Sequence, residues 1–228
     1  MSSVVLVTGA GRGLGLELVR QYAAGGWAVL GTVRDPAQAG ALRAVAGNVE
    51  VHALDVADSE GVAALAARLG GRPIDLLINN AGVYGPGHES LGAIDYQAWE
   101  RVLAVNTLGP VRVAEALLDC LRAGSRRQIV SVTSLMGSIG DNTGGGSLYY
   151  RSSKAALNAA MKTLSIDLSH ESFCVTVIHP GWVRTDMGGS NAPLDARTSV
   201  TAMRQVIDRL TTKQNGRFFN YDGRELPW

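Results

Sequence analysis

Short apolar runs alternate along this chain with longer amphipathic segments. The first run, VVLV at residues 4–7, is continuous rather than alternating, which is typical of a strand buried on both faces of a parallel sheet. Similar runs predict strands at residues 28–33, 49–54, 74–78, 128–132 and 175–178, and a seventh at 217–220. Helices are predicted over residues 14–24, 59–69, 96–121, 153–169 and 198–210. This alternation predicts an α/β fold whose parallel sheet is covered by helices on both faces.

The composition is that of a globular protein. A chain of 228 residues buries enough surface to fold without disulfide or metal staples. Hydrophobic residues make up 46% and charged residues 18% of the chain, which excludes an intrinsically disordered protein. No Pro-, Gly- or Ser-rich linker, repeat or block of charge divides the sequence. We therefore expect a single domain spanning residues 1–228.

Charge and targeting signals exclude several classes of partner. The formal net charge is +1 and the longest basic cluster is Arg126-Arg127, so the sequence favours neither nucleic acid nor an acidic membrane surface. The N-terminus lacks the basic region of a signal peptide, and no apolar run approaches the ~18 residues that span a bilayer. Cys120 and Cys174 form no CxxC pair, and the four histidines, including His88, show no metal-ligand spacing. These features predict a cytoplasmic protein without a metal, nucleic-acid or membrane partner.

A glycine-rich turn, with Gly9, Gly13 and Gly15, lies between the first predicted strand and the first predicted helix. Amides at a helix N-terminus bind anions, and glycine lets a phosphate approach where a Cβ would collide. Because Leu14 occupies the last glycine position of G-x-G-x-x-G, the spacing is G-x-x-x-G-x-G instead. The strand before and the helix after favour a pyrophosphate site over a glycine-rich turn without a ligand.

Arg34 follows the second predicted strand. Dinucleotide sites carry there either an acid for the ribose 2′-hydroxyl or an arginine for a 2′-phosphate. Arg12, in the glycine-rich turn, supplies a second cation, and two guanidiniums suit a phosphate dianion because such pairs are strong and directional. The alternative is a solvated Arg34 paired to Asp35. The arrangement favours NADP(H) over NAD(H).

Tyr150 and Lys154 are four residues apart at the start of a predicted helix, so they share one face. A nearby ammonium favours the phenolate, which predicts a Tyr150 pKa below the ordinary ~10. Such a tyrosine can protonate a developing alkoxide or deprotonate an alcohol. Tyr149 would point about 100° away and is rejected. Taken alone, the pair has an alternative interpretation as an ordinary contact on a helix surface.

Two further polar groups follow predicted strands. Ser134 comes after residues 128–132, at the carboxyl edge where open α/β sheets bind ligands, and its hydroxyl can donate to a substrate oxygen. Asn79-Asn80-Ala81-Gly82 follows residues 74–78, and its two consecutive amides, Asn79 and Asn80, suit backbone pairing or contact with a cofactor. The alternative for both groups is the capping of a turn.

Together these motifs resemble the signature of the short-chain dehydrogenase/reductase family. The resemblance covers almost the whole chain and rests on Thr8-Gly9-x-x-x-Gly13-x-Gly15, Asn79-Asn80-Ala81-Gly82, Asn106, Ser134, Tyr150-x-x-x-Lys154 and Pro180-Gly181. Within the family, residues 134–139, 179–189 and 221–228 are most similar to the C-factor and sniffer-type carbonyl reductases. The resemblance implies a doubly wound, Rossmann-type parallel sheet of about seven strands. It also implies a homodimer.

The resemblance assigns a role to each matching residue. Tyr150 is the implied acid/base, and Lys154 lowers its pKa and holds the nicotinamide ribose. Ser134 orients the carbonyl, and Asn106 anchors a water that links Lys154 to solvent. The implied cofactor-binding set is Gly9, Arg12, Gly13, Leu14, Gly15, Arg34, Asp55, Val56, Asn79, Ala81, Gly82, Tyr150, Lys154, Pro180, Gly181, Val183 and Thr185. Within this set Asp55 meets the adenine ring, and Thr185 bonds the nicotinamide amide.

Two stretches depart from the family pattern. The interval from Ser134 to Tyr150 is longer than in many members, so residues 143–146 either form a surface bulge or border the substrate site. The short segment 186–198 predicts an open substrate pocket with few fixed contacts. The expected function is NADPH-dependent reduction of a ketone or an aldehyde. The alternatives are a cofactor-bound signalling or interaction protein with vestigial activity, and an NAD-dependent alcohol dehydrogenase.

Overall fold

The computed structural model describes residues 2–87 and 90–228 and contains a seven-stranded parallel sheet. Its strands are β1 (Val4–Val7), β2 (Ala28–Val33), β3 (Val49–Ala53), β4 (Leu76–Asn79), β5 (Gln128–Val132), β6 (Cys174–His179) and β7 (Phe218–Asn220). They lie in the order β3-β2-β1-β4-β5-β6-β7, and every neighbouring pair is parallel. The predicted doubly wound sheet is confirmed. Its strand order reverses between β1 and β4, where such sheets bind ligands at their carboxyl ends.

The helices of the described residues cover both faces of the sheet. They are α1 (Gly13–Ala24), α2 (Gly40–Arg43), α3 (Ser59–Leu69), α4 (Tyr96–Leu103), α5 (Gly109–Ala116), α6 (Leu118–Ala123), α7 (Leu148–Asp167) and α8 (Ala196–Asp208). Val5 and Val7 of β1 belong to the apolar cluster with α1 and α8, whereas Leu6 belongs to the cluster with α3, α5 and α7. Both faces of β1 are therefore buried, which explains its continuous apolar run.

The segment predicted as one helix over residues 96–121 is divided in the structure. A π-helical turn, Ala104–Leu108, separates α4 from α5, and Leu117 separates α5 from α6. Pro110 has no N–H to donate and lies in the first turn of α5, where no intrahelical bond is needed. Apolar periodicity continues through such breaks, so the pattern did not reveal them. In addition, α2 was not predicted, and α7 begins before the predicted residue 153.

Other features bear on partners. None of the described helices combines the length and the apolar character that a membrane crossing needs. Residues 2–87 and 90–228 also bring together no group of three His, Cys, Asp or Glu that could hold a metal. Cys120 and Cys174 are buried free thiols. His88, one of the histidines without metal-ligand spacing, lies outside the described residues.

Candidate active site

The glycine-rich turn joins β1 to α1 and is locked to the end of β4. The Thr8 hydroxyl accepts hydrogen bonds from the amides of Asn80 and Ala81, both at 3.0 Å. The Asn80 side chain donates to the carbonyl oxygen of Thr8 at 2.9 Å. A Cβ at Gly15 would overlap the carbonyl oxygen of Gly9, so only glycine fits where the first turn of α1 packs against the glycine-rich turn. Thr8 and Asn80 therefore shape the turn, and Asn80 makes the backbone pairing that the sequence analysis gave to the two consecutive amides, whereas Thr8 was given no role of its own.

The N-terminus of α1 suits a pyrophosphate. Arg12 is the N-cap but makes no side-chain capping bond, and the first turn of α1 carries no acidic residue. The first amides of a helix have no intrahelical partner, so those of Gly13, Leu14 and Gly15 are available to an anion. The uncapped turn and the glycine cradle together fit the phosphates of a dinucleotide.

The two arginines expected near a 2′-phosphate differ in their partners. Arg34 is exposed after β2, and within residues 2–87 and 90–228 it forms no salt bridge. The Asp35 carboxylate instead accepts the Ala37 amide and the Gln38 side chain, so the alternative pairing of Arg34 with Asp35 is not found. Arg12 does have a partner, because its guanidinium donates to Asp186 at 2.6 Å. Arg34 is therefore the less constrained cation.

The remaining residues expected at the adenine end differ in placement. Asp55 is exposed after β3, and its carboxylate accepts the Ala57 amide at 2.9 Å. Val56 is buried, and its side chain lies so close to Gly109 that a Cβ there would be 2.8 Å from Val56 Cγ2. The two residues thus lie together at the carboxyl end of β3, with Asp55 facing outward.

Asn79 does not reach the glycine-rich turn. Its side chain is 2% exposed and donates to Ser131 Oγ at 3.3 Å and to the carbonyl oxygen of Pro110 at 3.4 Å. Successive residues of a strand point to opposite faces, so Asn79 points beneath α5 rather than into the crevice. The sequence identified the Asn79-Asn80 pair, but the structure gives the contact with the turn to Asn80.

The segment after β6 forms the other side of the crevice. A Cβ at Gly13 would be 3.4 Å from the Thr185 methyl carbon, so this threonine lies directly beside the glycine-rich turn. The Pro180 carbonyl accepts Ser199 Oγ at 2.6 Å, and Gly181 has a φ of +82°. Val183 forms a bridge with Leu194. Residues 180–185 are therefore fixed next to the glycine-rich turn.

Hydrogen bonds join the segment 186–198 to the residues that precede it. The Arg184 guanidinium donates to the carbonyl oxygens of Ala192 and Pro193, and the Trp182 indole donates to the carbonyl oxygen of Gly188 at 2.8 Å. These contacts lie within the chain, and the open substrate pocket with few fixed contacts stays a prediction.

Tyr150 and Lys154 lie on the face of α7 that is turned toward the sheet. Tyr150 is 8% and Lys154 4% exposed. The Lys154 ammonium donates to the carbonyl oxygen of Val132 at 2.9 Å and lies 5.8 Å from the centre of the Tyr150 ring. The structure therefore brings the predicted pair together and excludes the alternative of an ordinary surface pair.

The pKa of Tyr150 departs from the expectation. Burial raises it to about 12, and a hydrogen bond with Ser134 acts in the opposite direction. Burial also lowers the pKa of Lys154 to about 8. The predicted lowering of the Tyr150 pKa by Lys154 is wrong for this structure, because the ammonium is directed at the Val132 carbonyl oxygen. Burial raises the pKa of the phenol by more than Ser134 lowers it.

Ser134 caps a turn, which is the role that the sequence analysis gave as the alternative. Its hydroxyl oxygen accepts the Met136 amide at 3.1 Å and so caps the 3₁₀ turn Leu135–Gly137. The Ser134 hydroxyl also lowers the pKa of the Tyr150 phenol against the larger effect of burial. Because a hydroxyl can accept one bond and donate another, capping the turn fixes the oxygen while its proton remains available to a ligand.

Asn106 is held in the π-helical turn and is fully buried. Its side chain accepts the Val83 amide and donates to the Val83 carbonyl oxygen, both at 2.8 Å, and also donates to Ser153 Oγ at 2.9 Å. A Cβ at Gly82 would be 3.3 Å from Asn106 Oδ1 and 3.6 Å from the Lys154 ammonium. Asn106 therefore stabilises the segment after β4 close to Lys154.

Two neighbouring features lie outside this arrangement. The Tyr149 hydroxyl accepts the Asp95 amide at 2.8 Å, and its ring stacks on Trp99, so the tyrosine that the sequence analysis rejected has a separate, buried role. Gly145 and Gly146, of the stretch 143–146, border a groove of about 280 Å³ on the face of α7 that carries Arg151 and Ala155. That face is not the one that carries Tyr150.

The chain matches the short chain dehydrogenase family model over residues 3–195 and belongs to that family. C-signal of Myxococcus xanthus is 51% identical over 156 residues, which cover 68% of this chain and 93% of that protein. The 1-hydroxy-2-glutathionyl-2-methyl-3-butene dehydrogenase of Rhodococcus sp. strain AD45 is 37% identical over 232 residues, covering 99% of this chain and 100% of that one.

Solved structures are similar over the full length. The carbonyl reductase Sniffer of D. melanogaster superposes with a TM-score of 0.92 at 36% identity and 100% coverage of both chains. An NADPH-bound carbonyl reductase from chicken fatty liver has a TM-score of 0.92 at 32% identity, covering 100% of this chain and 99% of that one. This chain therefore has the fold of a short-chain oxidoreductase and is close to carbonyl reductases.

Proposed function

We propose that this chain is an NADPH-dependent carbonyl reductase that converts a ketone or an aldehyde to an alcohol, reversibly. The observation that carries the proposal is the convergence of Ser134, Tyr150 and Lys154 at the carboxyl edge of the sheet, beside an uncapped helix N-terminus. A neutral phenol, a hydroxyl donor and an ammonium are the groups that stabilise and protonate a developing alkoxide.

The proposed mechanism assigns each side chain one task. The bound nicotinamide supplies the hydride for the carbonyl carbon. Ser134 donates a hydrogen bond to the carbonyl oxygen and holds it beside Tyr150. Tyr150, kept neutral by burial, donates its phenolic proton to that oxygen as negative charge develops. The Lys154 ammonium, 5.8 Å from the centre of the Tyr150 ring, would hold the ribose of the bound nicotinamide.

The preference for NADP(H) is supported by Arg34. Its exposed guanidinium follows β2 and forms no salt bridge with any described residue, so a 2′-phosphate would meet a cation with no competing carboxylate. The pyrophosphate would lie on the amides at Gly13, Leu14 and Gly15. Asp55 is exposed at the adenine end, and Thr185 borders the turn on the nicotinamide side. The NADPH-bound carbonyl reductase from chicken fatty liver is consistent with this choice.

The test is NADPH oxidation with a panel of ketones, aldehydes and quinones, run beside NADH and with the Tyr150→Phe variant. We expect turnover with NADPH that falls at least about 10²-fold in Tyr150→Phe, because the proton donor is lost. NADPH binding, followed by its fluorescence, should still be detectable in that variant. Tyr96→Phe, at an exposed position, is the matched control. Full activity in Tyr150→Phe would refute the assignment, and faster turnover with NADH would refute the cofactor preference.

A second candidate is a cofactor-bound signalling or interaction protein. The 51% identity with C-signal of Myxococcus xanthus favours it. A protein of this kind has no need for a buried phenol beside a hydroxyl donor. NADPH binding without turnover of any carbonyl in the panel would select this candidate over the reductase.

A further inference from the structure

Tyr84 lies against the proposed proton donor. The ring centres of Tyr84 and Tyr150 are 4.7 Å apart, and their planes are inclined by 32°. Tyr84 belongs to the segment that follows β4, whereas Tyr150 belongs to the first turn of α7. The contact therefore joins two separate elements directly beside the reacting hydroxyl.

The Tyr84 hydroxyl is also fixed. It lies 2.6 Å from Ser147 Oγ, close enough for a hydrogen bond. Ser147 is the N-cap of α7, where a serine usually accepts a helix amide, yet its side chain makes no capping bond. Its backbone is left-handed, with φ at +49°, which is uncommon for a residue other than glycine. The hydroxyl that would cap the helix is bound to Tyr84 instead.

This contact contributes to the burial of Tyr150. The Tyr150 residue is only 8% exposed, although it lies at the edge where a substrate must enter. Burial is the main reason its pKa is raised, and Tyr84 acts in the same direction. Tyr84 itself is half-buried, so one side of its ring covers Tyr150 while part of the residue remains accessible to solvent.

We propose that Tyr84 determines substrate specificity and positions Tyr150. Its ring covers Tyr150 and leaves room for flat or unbranched carbonyl compounds. Branched carbonyl compounds are excluded because they would collide with the ring. Its hydroxyl, through Ser147, holds the start of α7 and with it the reacting phenol. The substrate part rests on the proposed function, whereas the covering of Tyr150 does not depend on catalysis.

The covering is tested by acetylation of tyrosine with N-acetylimidazole, which forms a bond from the phenol oxygen to the acetyl carbon and releases imidazole. Peptide mass spectrometry gives the rate at each tyrosine. We expect Tyr84→Ala to speed acetylation of Tyr150 at least about 10-fold, whereas Tyr84→Phe retains the ring and changes it little. Tyr149, 1% exposed, and Tyr96, 66% exposed, are the slow and fast internal controls. An unchanged Tyr150 rate in Tyr84→Ala would overturn the proposal.

Specificity is tested by kcat and KM for an unbranched and a branched ketone. In Tyr84→Ala we expect the ratio of kcat/KM values to shift at least about 10-fold toward the branched ketone. Tyr84→Phe and Ser147→Ala remove the same hydrogen bond, so each should lower kcat to a similar extent and the double variant no further. An equal loss for both ketones in Tyr84→Ala would leave only a structural role and overturn the specificity claim.

The two tests separate the failure of this inference from the failure of the proposed function. A wild-type protein that reduces no carbonyl, together with faster acetylation of Tyr150 in Tyr84→Ala, would refute the reductase and retain the covering role. Turnover by the wild type, with unchanged acetylation and unchanged ketone preference in Tyr84→Ala, would retain the reductase and refute the role of Tyr84.

Discussion

Lys154 and Tyr150 share one helix face, yet burial sets the pKa of each. The sequence spacing places them correctly, and Lys154 lies 5.8 Å from the centre of the tyrosine ring. The sign of the Tyr150 shift was nevertheless wrong from the sequence, because a pattern of residue types does not show how much water each group loses. A phenol that stays neutral is the form that donates a proton, so the observed direction suits reduction.

His179, the last residue of β6, gives a pH prediction. Its Nδ1 is buried with no partner among the described residues, and burial lowers its pKa to about 4 although Asp141 and Asp222 oppose the shift. The folded-state pKa lies below the unfolded value of ~6.5, so its contribution to stability is present above pH 6.5 and is lost as the pH falls toward 4. We expect the free energy of unfolding to decrease by at most about 3 kcal/mol across this range.

Urea unfolding between pH 4 and pH 7.5 measures this effect. In His179→Asn the decrease toward acid pH should be smaller than in the wild type, because the buried imidazole no longer has to be protonated. His170→Asn replaces a histidine with a 75% exposed side chain and serves as the control. The same pH slope in His179→Asn and in the wild type would rule out this origin.

At the scale of elements, the seven strands were predicted well because continuous apolar runs directly reflect burial on both faces of a sheet. The single helix predicted over residues 96–121 was wrong, because the spacing of its apolar residues does not reveal the π-helical turn Ala104–Leu108. That turn is where Asn106 bonds to Val83 of the segment after β4. Helical irregularities of this kind often occur at functional sites.

Asn106→Ala tests the contribution of the π-helical turn. The change leaves the Val83 amide and carbonyl without their side-chain partner in a buried place, which should lower the free energy of unfolding by about 2–3 kcal/mol. Asn142→Ala, in an exposed loop where Asn142 accepts the Gly145 amide, should change it by no more than about 0.5 kcal/mol. Urea unfolding at pH 7 compares the two, and equal effects would contradict the prediction.

At the scale of the whole molecule, residues 224–228 connect distant parts of the sheet edge. Glu225 forms an antiparallel bridge with Phe219, and the Trp228 ring lies 5.7 Å from that of Phe218. The Trp228 carbonyl oxygen accepts the Gly140 amide at 3.0 Å and Ser138 Oγ at 3.2 Å. This segment therefore fastens β7 to the loop that begins at Ser134.

Trp228→Ala should loosen that loop. We expect faster hydrogen exchange at residues 138–141, measured by mass spectrometry, and a free energy of unfolding lower by about 1–2 kcal/mol, because the aromatic contact with Phe218 is lost. Trp182→Ala, a 56% exposed tryptophan at the same edge, should leave exchange at residues 138–141 unchanged. Unaltered exchange in Trp228→Ala would show that the side chain does not hold the loop.

Three expectations for the whole molecule stay predictions, namely a single domain over residues 1–228, a cytoplasmic location and a homodimer. The homodimer was expected from relatives and from the small residues Ala155, Ala156, Ala159 and Ala160 on α7.

The sequence by itself determined the order of strands and helices, the glycine-rich turn and the Tyr150–Lys154 pair, because these depend on periodicity and on spacing within one element. The tertiary structure decided which of Asn79 and Asn80 reaches the turn, that Arg12 pairs with Asp186, and that Tyr84 covers Tyr150. These contacts join elements far apart in the chain. Their distances and burial, and so the pKa values that follow, arise only when the sheet brings its carboxyl ends together.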